Sequence, residues 1–129
     1  MKSLFAYMMT SVITLATLFT VCVFIPFVNF IVVTAYTYPL FALSQFILRP
    51  DLIDRSYATI LPRGEGWFFA LAIWTVVGLG VGLLLYVIRF FIYRHKGFPV
   101  PPLGLNGFVT IVAIHMLVCL ISFGQFLAQ

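Results

Sequence analysis

The chain has 129 residues, of which 64% are hydrophobic, 18% aromatic and only 8% charged, a balance that excludes a water-soluble domain of this size. Seven basic residues against three acidic ones give a formal net charge of +4. These charges are too few and too scattered for a nucleic-acid surface and are expected to meet membrane lipid headgroups instead. The composition predicts an all-α membrane protein, a polytopic helical bundle forming a single transmembrane domain over residues 1–129.

No charged residue lies between Lys2 and Arg49. A helix over that run of about 45 residues would be about 67 Å long, over twice the roughly 30 Å hydrocarbon core. Two crossings are therefore expected, over about residues 4–25 and 30–48, with Pro26 and Asn29 marking the turn. Pro26 lacks a backbone N–H and biases Ile25 away from helix. The alternative is one long helix kinked at Pro26 with its far half lying at the interface, which leaves three crossings in all. Met1-Lys2-Ser3 before an apolar run resembles a signal peptide, but no small-x-small cleavage site follows, and the segment is expected to be retained as a span.

Pro39 falls inside the second predicted span. It should bend that helix and free a carbonyl near Ala35, which Thr34, a neighbouring helix or a water must satisfy. Residues 49–65 carry every acidic residue of the chain. Their apolar positions Leu52, Ile53, Tyr57 and Ile60 fall near helical spacing, opposite Asp51, Asp54 and Arg55, which predicts a short interfacial helix between spans two and three. Pro62, Gly64 and Gly66 should end it before Trp67, a headgroup-level anchor.

A third span is predicted over about 67–93 and a fourth over about 105–126, joined by Gly97-Phe98-Pro99-Val100-Pro101-Pro102-Leu103-Gly104, too rich in Pro and Gly to stay helical. With four spans, Lys2, Arg49, Arg55 and Arg63 lie on one side and Arg89, Arg94 and Lys96 on the other, a one-residue margin that places both termini in the cytoplasm. The compact Arg94-His95-Lys96 cluster argues the other way, and three spans would put Lys2 on its side. No internal repeat supports a transporter of the inverted-repeat kind.

No Asp, Glu, Lys or Arg lies deep in a span, which counts against a proton-coupled transporter. Arg89, about one turn inside the end of the third span, can snorkel to the interface. His115 is the one histidine near mid-span, with Cys119 one turn further on the same face. It can ligate haem together with a histidine of another subunit, bind metal with help from Cys22, Met8, Met9 or Met116, or simply bond across helices, and the last is the default. No metal site and no cofactor is predicted beyond the haem alternative at His115.

Gly78 and Gly82 share one face of the third span and predict close approach of another helix. Thr10, Thr14 and Thr17, with Ser11 beside them, form a hydroxyl stripe on the first, of the kind that usually bonds to its own backbone. Tyr86, Phe90, Phe91 and Tyr93 interleave with Arg89, Arg94 and Lys96, which describes an anchor for anionic lipid headgroups. No nucleophile elbow, phosphate loop or catalytic triad is present, and the isolated chain is not expected to be an enzyme. The expected function is that of a structural or accessory subunit of a larger assembly of respiratory, secretion or conjugation type, in a bacterial inner membrane, with other transmembrane subunits as partners. The alternatives are an immunity or exclusion protein that binds a membrane-active partner, and a redox anchor holding haem or quinone.

Overall fold

A computed structural model describes residues 2–56 and 59–129 of the chain. Four long helices carry it: α1 (Lys2–Val23), α2 (Val28–Phe46), α3 (Gly66–His95) and α4 (Leu105–Leu127). Between α2 and α3 run a short 3-10 turn (Pro50–Leu52) and two antiparallel strands, β1 (Ile53–Ser56) and β2 (Thr59–Pro62). The fold is an all-α membrane bundle, since α1, α3 and α4 are each long and apolar enough to cross a bilayer.

The break after α1 follows from its residues. Pro26 has no N–H to continue the ladder, and Phe27 takes a left-handed backbone with φ of 68°. The carbonyl left open at Val23 is capped from beyond the turn, where the Asn29 side-chain amide donates to it at 2.7 Å. At the far end of α2, Leu48 is left-handed with φ of 57°, and Arg49 N–H reaches back to the Ser44 carbonyl at 2.9 Å. Helices commonly stop on such a residue, although glycine usually fills the position.

α1 and α3 lie antiparallel along the glycine face. Gly82 sits against Met8 and Gly78 against Val12, so residue numbers rise in opposite directions along the contact. His115 meets Ser11 and Gly107 meets Arg89, which sets α4 parallel to α1. The C-terminal end of α1 and the first turn of α3 are therefore at the same end of the bundle.

α2 must begin and finish there too. Its Asn29 caps Val23 of α1, and its Leu40 packs beside Gly66, the first residue of α3. The helix thus lies across that end of the bundle. Two antiparallel crossings over residues 1–48 would have carried it to the opposite end, so the four-crossing count is not confirmed. With Asn29, Tyr36, Tyr38, Pro39 and Gln45 among its 19 residues, α2 is not one of the helices long and apolar enough to cross.

The interfacial helix expected over 49–65 is replaced by the strand pair. Ile53 pairs with Pro62 and Arg55 with Ile60, while Arg63 N–H bonds the Leu52 carbonyl at 2.8 Å. Leu52 and Ile60 are both buried, so the apolar positions serve a strand pair instead of a helix face. A helix here would have been shorter than the roughly 12–15 residues that stand alone in water, and Pro50 and Pro62 bound it at both ends. Tyr57, the fourth apolar position, lies outside the described residues. Arg49 pairs with Asp51 at 2.8 Å, and the guanidinium holds that carboxyl below the usual carboxylate range.

At the opposite end of the bundle, Tyr7, Leu85 and Ile111 form a buried cluster, with Tyr86, Val100 and Leu103 packed over it.

Candidate functional site: polar groups between the helices

Pro39 organises a set of bonds from α2 to two neighbouring helices. A proline cannot donate to the carbonyl four residues back, and the bend it imposes opens the carbonyl three back as well. Those acceptors belong to Ala35 and Tyr36. The Ser122 hydroxyl of α4 donates to the Ala35 carbonyl, and the Trp74 indole N–H of α3 donates to the Tyr36 carbonyl at 2.7 Å. The expectation of a freed carbonyl at Ala35 is met by the neighbouring-helix route. Thr34, the other protein donor considered, does not take part, and its buried hydroxyl has no protein partner. Tyr36 stacks obliquely on Trp74 with ring centroids 4.4 Å apart. One residue of α2 thereby fixes it to both α3 and α4.

His115 is 1% exposed and lies between α4 and α1. Its Nε2 is 3.1 Å from the Ser11 hydroxyl and 3.3 Å from the Ser11 carbonyl, while Nδ1 has no protein partner. If Nε2 carries the proton it donates to Ser11, and in the other tautomer it accepts from the hydroxyl. This is the across-helix bond expected as the default. An iron atom at Nε2 would have to displace α1, which packs on that side of the ring. Among the described residues no three His, Cys, Asp or Glu side chains come together as a metal site, and Met116 faces outward, 56% exposed.

The glycine pair is engaged within the chain. A methyl group on Gly82 would stand 2.6 Å from the Met8 Cα and 2.7 Å from the Tyr7 carbonyl oxygen, and one on Gly78 would stand 3.1 Å from a Val12 methyl. The close approach is to α1. Gly80 differs, with nothing within 4 Å, and Val76 and Leu84 one turn to either side are exposed.

Arg89 reaches inward from the end of α3. It donates to the Tyr7 hydroxyl at 2.9 Å, and that hydroxyl donates to the Pro101 carbonyl at 2.9 Å. The guanidinium carbon also lies 5.7 Å from the Tyr7 ring centroid. Arg89 therefore clamps the Pro-rich loop onto α1, a role that spacing could not reveal because Tyr7 and Pro101 are remote in sequence. Arg94 in the last turn of α3 and Lys96 just past it are exposed, with Arg94 over the Phe90 ring at 5.5 Å.

The threonine stripe of α1 divides. Thr17 bonds its own helix at the Ile13 carbonyl, whereas Ser11 and Thr14 are buried against neighbouring helices. Ser122 and the Trp74 indole were missed as site residues. Pro39 was the available signal for both, because each carbonyl that a proline frees requires a donor.

No protein-family model matches the chain, and no curated protein or solved structure is significantly similar to it.

Proposed function

We propose that the protein is an accessory or structural subunit of a larger membrane assembly, of respiratory, secretion or conjugation type, in a bacterial inner membrane. One observation carries this. Of the polar side chains at bilayer depth, Ser11, His115, Ser122 and Trp74 bond between helices and hold them together, while Thr17, Thr75 and Thr110 are spent on carbonyls of their own helices. What remains for outside contact is helix surface, and Gly80 makes a notch in it between exposed Val76 and Leu84 that suits a partner helix.

The proposed topology has three crossings, α1, α3 and α4, with α2 and the strand pair at one membrane surface. Lys2, Arg89, Arg94 and Lys96 then share a side, without a carboxylate in the sequence to neutralise them there. Arg49, Arg55 and Arg63 share the other side with Asp51, Asp54 and Glu65. The side with more basic residues is the cytoplasmic one, which puts the N-terminus inside and the strand pair outside. Arg94 and Lys96 are free to bind anionic headgroups on the cytoplasmic leaflet at about 1 kcal/mol per basic residue.

Affinity purification in mild detergent, followed by mass spectrometry, tests the proposal. A stoichiometric membrane-protein partner that is lost in Gly80→Leu, with the fold intact, is the expected result. A monodisperse chain that purifies alone and shows transport or turnover refutes it.

A further inference from the structure

Beneath α2, between α1 and α3, lies a cavity of about 290 Å³ whose rim includes exposed Ala16, Thr20 and Leu71 on the outer side of the two helices. On α1 its wall runs from Val12 to Thr20, and on α3 from Thr75 to Trp67. Eight residues of helix make the cavity about 12 Å long, aligned with the bundle axis from mid-membrane toward the interface at Trp67. An acyl chain has that direction and reaches that depth.

Apart from the Trp67 indole at the interfacial mouth, the donors of the wall are already engaged within the chain. Thr20, Thr37 and Thr75 each donate to a carbonyl of their own helix, those of Ala16, Val33 and Leu71. The Trp74 indole N–H is held by the Tyr36 carbonyl, and the Tyr36 hydroxyl is directed to the Leu15 carbonyl at 3.5 Å. A polar guest would lose its hydrogen bonds on entry, whereas hydrocarbon would lose nothing. At the interfacial end Pro62 completes the wall, and the next residue, exposed Arg63, sets a cation at headgroup level where a lipid phosphate would lie.

We infer that this cavity holds one acyl chain of a phospholipid from the leaflet on the strand-pair side, with the headgroup phosphate beside Arg63. The inference rests on the membrane-spanning fold and is independent of any partner subunit.

The chain carries its own probes, because both of its tryptophans, Trp67 and Trp74, line the cavity. Trp67 is half-exposed to bulk lipid, but Trp74 is only 5% exposed. The experiment uses full-length Trp67→Phe protein in vesicles of phosphatidylcholine brominated along the acyl chain. Trp74 fluorescence is expected to be quenched, and the quenching is expected to be lost when Ala16→Phe is added to fill the cavity from its exposed α1 side. Thr20→Leu serves as a second filler should Ala16→Phe not fold. Quenching of Trp74 that is equal with the cavity open and filled would overturn the inference, whether the space is empty or occupied by protein.

Discussion

Replacing Pro39 should change what Ser122 contributes. In the native chain Ser122→Ala removes the donor to a buried carbonyl that its own helix cannot satisfy. An orphaned buried acceptor costs about 1–3 kcal/mol in water-soluble proteins, but measured side-chain hydrogen bonds between membrane helices average only about 0.6 and reach about 1.7 kcal/mol. Because the Ala35 carbonyl has no intrahelical alternative, the upper part of the membrane range applies, and Ser122→Ala should cost about 1–1.5 kcal/mol. Pro39→Ala supplies the missing N–H, which can donate to the Ala35 carbonyl in ordinary helical geometry. In that background Ser122→Ala should cost no more than about 0.3–0.5 kcal/mol, the scatter expected of independent sites. The four proteins form a double-mutant cycle, read by unfolding in mixed micelles at rising dodecyl sulfate and followed by helical circular dichroism. A Ser122→Ala cost that is the same with and without Pro39 would refute the reasoning.

Gly82→Leu should destabilise the bundle by at least about 2 kcal/mol in the same assay, since even a Cβ meets the α1 backbone; Gly80→Leu should leave stability unchanged. Tyr7→Phe should cost about 1–2 kcal/mol and loosen the Pro-rich loop to proteolysis, because it releases both Arg89 and the Pro101 carbonyl. With Cys22 and Cys119 replaced, single cysteines at Lys2 and Gly64 should label from opposite membrane faces; labelling from one face would establish four crossings.

The limits of α1, α3 and α4 could be read within a few residues because long apolar runs end at charges, prolines or glycines, and each such signal is local. The carbonyl freed by Pro39 was equally local. The strand pair was hidden because Leu52, Ile53 and Ile60 fit a helix face and a strand pair alike, and pairing between the two segments outweighed their spacing. The lie of α2 was hidden for another reason. Hydropathy reports how apolar α2 is but not how it lies, and it is the seating of Gly82 on Met8 and of Gly78 on Val12 that places the start of α3 beside the end of α1. The glycine face announced close contact without naming its partner, and Ser11 could not be assigned to His115 across 104 residues of chain.

The capped bend in α2 also sets an order of assembly. While the chain is being made, α2 emerges before either of the helices whose side chains cover its two open carbonyls. Until Trp74 and then Ser122 arrive, only water can bond those oxygens, so α2 must wait in the hydrated headgroup region. It gains its full set of bonds to the bundle only once α4 has been inserted. A ribosome stalled before Ser122 should therefore leave α2 held by α1 and α3 alone and more open to protease, with α4 the latch that completes the bundle.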